Sequence, residues 1–581
     1  MAATPTHFEI GQSCFEDLVA KGGCFVDKSR FIPEILAAAK IVLMARPRRF
    51  GKTLTLSMLQ SFLALDFRNP ADRSLPQRLF GNLALAQKKR FVEENMGRWP
   101  VIHLTLKDVR GRNYESAVGQ LKFALLNAAK PFAFLSESGN LNPVDKEALA
   151  RLLTLRTLGE KEAEPVLTQS LAVMASVLHA HYGRKAVVLI DEYDTPLTAA
   201  AAGGYFDAMN RLIGGLFSAG LKDSPHLHKA VLTGCIKPAM KSVFAGLDTL
   251  KSFGVAEVRL RDAVGFTEEE MRRLLADSDL KNCLKDVHAH YQGWRFGGEM
   301  IYSPWDVLNF CADRTAGEAV RGNYWVETSG NDLIDEFLDH ADEAHLGMLR
   351  TLLRGGGVEA RVRNEVSMAD LNDGRTAEPL LSLLLHAGYL TQAADLQGGL
   401  PRLRIPNEAI RGCWREKVRQ CFTAANPAFA KAGAEFFDAL TAGRRAKAQF
   451  ILLKQLTRFM RLHDAGADDT PEKWVPGLVR RLLETAAPPF GRRMLISNRE
   501  AAQGFCSIVI ADDETAAAVV LAVKCAASSP AGNPEERLEA VCREALEKIE
   551  EERSASGLGE FKVVRRAGLA FSRKNCLLRM A

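Results

Sequence analysis

A chain of 581 residues exceeds what one hydrophobic core can hold, and domains of roughly 100–200 residues predict three or four units. Apolar residues at 47% and charged residues at 25% are ordinary for a globular protein and exclude large-scale disorder. The formal charge of +6, from 76 basic and 70 acidic residues, is too small an excess to argue for nucleic acid.

From about residue 20 to 235 short apolar runs alternate with helical patterns, which predicts strands joined by crossover helices in a mainly parallel sheet. The expected strands are Ile41 to Ala45, Val101 to Leu106, Ala186 to Asp191 and Ala230 to Thr233, apolar without alternation and therefore covered on both faces. After the first of them comes Arg46-Pro47-Arg48-Arg49-Phe50-Gly51-Lys52-Thr53. A tight turn there, between a strand and a helix, aims backbone N–H groups and the positive helix end at phosphate oxygens, the pattern of a P-loop. Lys52 would reach the β and γ phosphates and Thr53 would ligate Mg²⁺. Arg48, Arg49, Phe50, Gly51, Lys52, Thr53 and Leu54 are the expected nucleotide-binding residues, and Arg48 and Arg49 could instead meet a neighbouring subunit. Arg46 stands where the general pattern has glycine, which puts phosphate approach at that corner in question.

Ser136 to Pro165, with Gly139, Pro143, Gly159 and Pro165 among many charges, reads as an insertion or mobile loop. The next strand ends in Asp191-Glu192, and two acids closing an apolar strand need a reason such as a metal and a water to activate. Asp191 is expected to hold Mg²⁺ and Glu192 to polarise the attacking water. Thr233, at the end of the following strand, is the expected polar sensor of the γ phosphate, with Lys237 a weaker choice.

From about 265 to 425 the pattern is mostly helical, opening on Thr267 as the cap of an acidic first turn. Ala387 to Leu390 and Leu403 to Ile405 flank Gly398-Gly399 and read as a small hairpin, the wing of a winged-helix-like unit. The C-terminal stretch reads as helices, strands at Met494 to Asn498, Cys506 to Ile510 and Ala518 to Lys524, a loop at Ser528 to Pro534, a charged helix from Glu535 to Arg553 and a last strand near Val563 to Phe571. That order is αβββαβ.

Phe25-Val26-Asp27-Lys28-Ser29, Arg46 to Thr53, Asp191-Glu192-Tyr193-Asp194-Thr195-Pro196-Leu197 and Thr233-Gly234 together resemble the AAA-ATPase-like family of prokaryotic proteins. Val264 to Glu268, Tyr291 to Gly297, Ser303 to Asn309 and Tyr324 to Asn331 resemble that family's linking region, so the resemblance spans most of the chain. The family's own loop has the Arg-Pro-Arg-Arg-Phe-Gly-Lys-Thr form, so Arg46 departs from general P-loops and not from the family. The resemblance implies ATP and Mg²⁺. It also implies an α/β P-loop NTPase domain at 1–260, a helical, winged-helix-like domain at 261–425 and a C-terminal α/β domain of the PD-(D/E)xK nuclease fold at 426–581. That fold needs two carboxylates and a lysine around a divalent metal. Alignment puts Ser507 and Ala522 in the acid positions and keeps only Lys524, so the domain is expected to lack cleavage activity. Asp512, Asp513 and Glu514 read as turn residues rather than substitutes.

The 11 cysteines form no CxxC pair and read as reduced thiols of a cytosolic protein. Neither a signal segment nor a membrane span of about eighteen apolar residues is visible. The expected molecule is a cytoplasmic ATPase that couples nucleotide state to domain rearrangement. A nucleotide-gated switch without turnover and an ATP-regulated DNA nuclease are the alternatives. Expected partners are ATP, then DNA or a protein through the C-terminal domain, with a homo-oligomer open and no membrane.

Overall fold

Ile41–Ala45 (β1), Val101–Thr105 (β2), Ala186–Asp191 (β3), Leu227–Gly234 (β4) and Leu250–Phe253 (β5) form one five-stranded sheet. In the computed structural model its order is β2-β3-β4-β1-β5, and every pairing is parallel. Residues 8–237, 243–318, 324–325, 334, 337–338, 343–363, 365–366, 377–393, 400–420, 426–463, 471–487, 493–501, 505–526, 533–551, 558, 561–572 and 575–581 are described. All of β1 and β3 is buried, as expected for strands covered by crossover helices on both faces. Leu171, Met174 and Leu178 of helix Glu160–Tyr182 and Ile213, Leu216 and Phe217 of helix Phe206–Leu221 belong to the core that covers this sheet. The four expected strands all form; β5 is additional.

The loop expected at Ser136 to Pro165 is instead helical, with helices at Pro143–Leu153 and Glu160–Tyr182. Pro143 and Gly159 mark helix starts, while Pro165 lies inside the longer helix. Asn142 accepts the Asp145 N–H as N-cap with Pro143 in the first turn, and Gly159 is the N-cap of the longer helix. Leu149, Leu152 and Leu155 are fully buried, which anchors the segment on the core.

The five-stranded sheet belongs to a compact unit made of residues 1–330 and 357–411; residues 331–356 and 412–581 make a second. In the first unit Phe266–Thr267 (β6), Trp294–Phe296 (β7) and Glu299–Tyr302 (β8) form an antiparallel sheet of order β6-β8-β7. Thr267 and Glu270 make the expected capping box. Val358–Glu359 (β9), Thr391–Gln392 (β10) and Arg402–Arg404 (β11) form a second small sheet. The hairpin is therefore present, but its first arm starts at Thr391, because Ala377–Ala387 is helix and Gly388, at φ 91°, ends it. Gly398 and Gly399 lie outside the described residues.

In the second unit Arg493–Ala501 (β12), Phe505–Asp512 (β13), Ala517–Cys525 (β14), Val563–Ser572 (β15) and Asn575–Met580 (β16) form a sheet in sequence order. β14 and β15 are parallel and the other neighbours antiparallel. Helix Pro534–Glu551 makes the parallel crossover and buries Ala545 and Ile549 with Val520 and Ala522. β16 was not anticipated, so the order ends in two strands rather than one. The residues from 527 to 532, in the expected loop, and Gly504 lie outside the described residues.

Candidate active site

The chain leaves β1 at Ala45 and turns through Arg46 to Gly51 before Lys52 opens the helix Lys52–Leu63. Gly51 is at φ 90° and Arg49 at φ 67°, left-handed conformations that coil the turn around the helix N-terminus and favour glycine at the first. Leu56, Leu59 and Leu63 pack the helix into the core, while Thr53 and Leu54 face a cavity of about 420 Å³. Arg48, Lys52, Asp191 and Glu192 line the same cavity. The free N–H groups of a helix start at such a turn suit an anion.

Arg46 does not reach this cavity. Its side chain is 1% exposed and turns into the protein, donating from Nη1 to the carbonyls of Ala45 (2.9 Å) and Phe253 (2.7 Å) and from Nη2 to that of Leu260 (2.9 Å). It ties β1 to the end of β5, so the doubt about crowding at this corner is removed. Burial pushes its pKa down to about 10, a partly compensated penalty that leaves it charged at neutral pH.

Asp191 closes β3, separated from β1 by β4. Its Oδ2 accepts from Thr53 Oγ1 at 2.7 Å and its Oδ1 from Thr233 Oγ1 at 2.5 Å. One buried carboxylate therefore joins the turn, β3 and β4. Glu192 takes φ 53°, a strained setting for a residue with a Cβ, and its Oε1 lies 3.6 Å from Lys52 Nζ. Lys52 also donates to the carbonyls of Arg46 and Pro47, both at 3.1 Å, and contacts Cys235 Sγ at 3.4 Å. Burial works against its charge, but Cys235, Glu192, Asp194 and Asp191 more than offset this and hold its pKa above the ordinary lysine value. Burial raises the Cys235 thiol to about 12.

Asp194, in the motif but without an assigned role from sequence, accepts the N–H groups of Cys235 and Ile236 at 2.8 Å each. It thereby clamps the chain after β4 to the turn after β3. Burial, then the neighbouring Glu192, raise its pKa. Lys237 is engaged elsewhere, 2.5 Å from Glu257 Oε1, and does not line the cavity. Thr233 is fully buried and meets Asp191 rather than the cavity wall.

An aromatic clasp surrounds the turn, which sequence reasoning missed although the tryptophans stood in the quoted motifs. Trp325 Nε1 donates to the Arg48 carbonyl at 2.9 Å. The Arg49 guanidinium lies 4.2 Å above the Trp305 ring. Phe50, whose ring is buried, meets Trp294 edge-on at 5.3 Å and Phe296 at 5.1 Å, and its carbonyl accepts the Gly265 N–H at 2.8 Å. A Cβ on Gly388 would stand 2.8 Å from Pro47, so glycine there permits close approach. The relevant signal in the sequence was the density of tryptophan between 294 and 325.

In the second unit Ser507 pairs directly with Ala522 across β13 and β14. Lys524 contacts Glu544 of the helix Pro534–Glu551. Asp512 is the buried end of β13 and accepts the Glu514 N–H at 3.0 Å, while Asp513 and Glu514 are exposed in the turn. Among the described residues no group of three or more His, Cys, Asp and Glu could hold a metal ion, and no helix is long and apolar enough to cross a membrane.

Residues 9–244 match a family model described as predicted AAA-ATPase. An uncharacterized protein in the vnfD 5′ region of Azotobacter chroococcum mcd 1 is 25% identical over 404 residues, which cover 68% of this chain and 66% of that protein. The chain thus spans just under two thirds of that relative's length.

Proposed function

We propose that the chain binds ATP with Mg²⁺ at the 46–53 turn and hydrolyses it to ADP and phosphate. The observation that carries this reading is the join of Thr53, Asp191 and Thr233 beside Lys52 and Glu192, on a parallel sheet in which β4 lies between β1 and β3. That strand order supports a P-loop ATPase of the additional-strand type, and the family match over 9–244 supports the same class.

The donor set fits Mg²⁺: a hydroxyl and a carboxylate, both hard oxygen ligands, meet at 2.7 Å at the helix start. Thr53 would hold the ion, with Asp191 fixing it from behind. When bound, Mg²⁺ neutralises charge on the β and γ phosphates. Lys52, freed from the Arg46 and Pro47 carbonyls, binds the same oxygens, and the turn's N–H groups orient them. Glu192 takes a proton from water as the water oxygen bonds to the γ phosphorus and the bond from that phosphorus to the bridging oxygen of ADP breaks. Thr233 keeps Asp191 oriented, and Arg48, Arg49, Phe50, Gly51 and Leu54 complete the nucleotide wall.

The nucleotide state is read by the rest of the chain, beginning with the aromatic clasp on the turn. The C-terminal domain, with its αβββαβ core followed by β16, serves as a nuclease-like binding module for DNA or a protein. Ser507 and Ala522 in the acid positions, and a lysine engaged by Glu544, support the loss of cleavage. Metal-dependent cutting of plasmid DNA by the purified chain would overturn that part. Measuring ATP binding and turnover with Lys52→Ala and Glu192→Gln tests the first part.

A further inference from the structure

Three arginines precede Lys52, and the structure separates their tasks. Arg46 is spent on three main-chain carbonyls. Arg49 is exposed and stacked over Trp305. Arg48 and Arg49 both line the cavity, but Arg48 is the half-buried one, and its guanidinium bonds Cys235 and lies near Glu192 and Asp194. A neutral thiol is a weak acceptor, so a phosphate oxygen displaces it readily from this guanidinium. Lys52, by contrast, is already held by two carbonyls and Glu192.

We propose that Arg48 is the site's catalytic arginine, supplied by the phosphate-binding turn itself, and that Trp325 is the residue that positions it. This rests on the ATPase reading. In the displacement the water oxygen bonds to the γ phosphorus, Glu192 receives the water proton, and the bond to the bridging oxygen of ADP breaks with its electron pair leaving on ADP. Arg48 N–H groups donate to the non-bridging γ oxygens, where charge gathers in the transition state. No arginine from a second subunit is then needed.

Trp325 acts through the main chain. Its indole N–H holds the Arg48 carbonyl at 2.9 Å, its ring packs edge-on against Tyr389 at 5.2 Å, and its own backbone N–H is anchored on buried Asp306 Oδ1 at 2.9 Å. Trp325→Phe removes the indole N–H and keeps an aromatic ring in the pocket.

The test uses the full chain: wild type, Arg48→Ala, Arg48→Lys and Trp325→Phe, with kcat and KM measured across ATP and protein concentrations. Arg48→Ala is expected to lower kcat by about 100-fold or more with KM within about threefold, since an arginine of this kind acts mainly on the transition state. Arg48→Lys recovers part of the rate, and Trp325→Phe lowers kcat by about tenfold with KM unchanged, as the loss of one well-placed hydrogen bond predicts. An Arg48→Ala variant with raised KM and unchanged kcat overturns the proposal, because Arg48 then only grips the ground state. Recovery of turnover on mixing Arg48→Ala with Lys52→Ala also overturns it, because the arginine then comes from a neighbour. An unchanged kcat in Trp325→Phe removes its positioning role. A wild type that binds ATP without turnover sinks the ATPase reading and this proposal together, whereas an active wild type with an equally active Arg48→Ala sinks only the proposal.

Discussion

Replacing Arg46 with glycine would make the turn match the general P-loop pattern, yet the structure predicts that Arg46→Gly weakens the protein without improving nucleotide binding. Two of the side chain's hydrogen bonds reach far along the chain, to Phe253 at 2.7 Å and Leu260 at 2.9 Å. Bonds from a charged donor contribute about 1.5–3 kcal/mol each, which sets a loss of about 3–6 kcal/mol. Removing the charge also relieves a burial penalty, visible in a pKa brought down to about 10. The lower half of that range, about 3–4.5 kcal/mol, is therefore expected, plus up to about 1 kcal/mol for glycine's extra freedom in the unfolded chain. The assay is urea unfolding of the full chain followed by tryptophan fluorescence, whose signal near the turn comes from Trp294, Trp305 and Trp325, alongside ATP titration of the folded variant. An unfolding midpoint equal to wild type with tighter ATP binding would refute the reasoning, since Arg46 would then be an obstacle to phosphate rather than a strut.

Asp306 is fully buried and its Oδ1 accepts the Trp325 N–H; burial outweighs the hydrogen bonds from Ser303 and Trp325 and raises its pKa to about 7. The folded chain therefore keeps a proton that the unfolded chain gives up near pH 4. Stability falls as pH rises from about 4 to about 7, by about 4 kcal/mol at 1.36 kcal/mol per unit. Asp306→Asn should flatten this slope in pH-dependent thermal unfolding; parallel slopes for variant and wild type would contradict it. Thr233→Val takes one of the two hydroxyl donors from Asp191 and is expected to cut kcat by about tenfold with ATP affinity within a few-fold, so an unchanged kcat would remove Thr233 from the site. Lys237→Met breaks the contact with partly exposed Glu257 and should cost about 1–3 kcal/mol of stability with kcat unchanged; a fall in kcat at unchanged stability would return Lys237 to the sensor role.

Much of the sheet was legible because its strands are short apolar runs buried on both faces, and β1, β3 and β4 carry the motifs at their ends. β5 was missed because Leu250-Lys251-Ser252-Phe253 mixes polar and apolar residues at the sheet edge. The 136–165 segment misled because glycine and proline signal both loops and helix starts, and only the buried Leu149, Leu152 and Leu155 decide between them. The turn residues were found by type, but local pattern is silent on where a side chain points. Arg46 facing inward and Lys237 committed to Glu257 depend on partners distant in sequence. Trp294, Trp305 and Trp325 lay in plain view as motif words, and their grip on the turn is a tertiary fact. Asp194 was likewise readable as a residue and not as a clamp, because the N–H groups it holds come from the far end of β4.

The central claim is tested most directly by ATP binding and hydrolysis measured on wild type, Lys52→Ala and Glu192→Gln, each with and without Mg²⁺. The account predicts Mg²⁺-dependent turnover by wild type, loss of binding in Lys52→Ala, and retained binding with kcat reduced by about 100-fold or more in Glu192→Gln, the scale of a lost general base. Failure of the wild type to bind ATP, or turnover in Glu192→Gln equal to wild type, would contradict it.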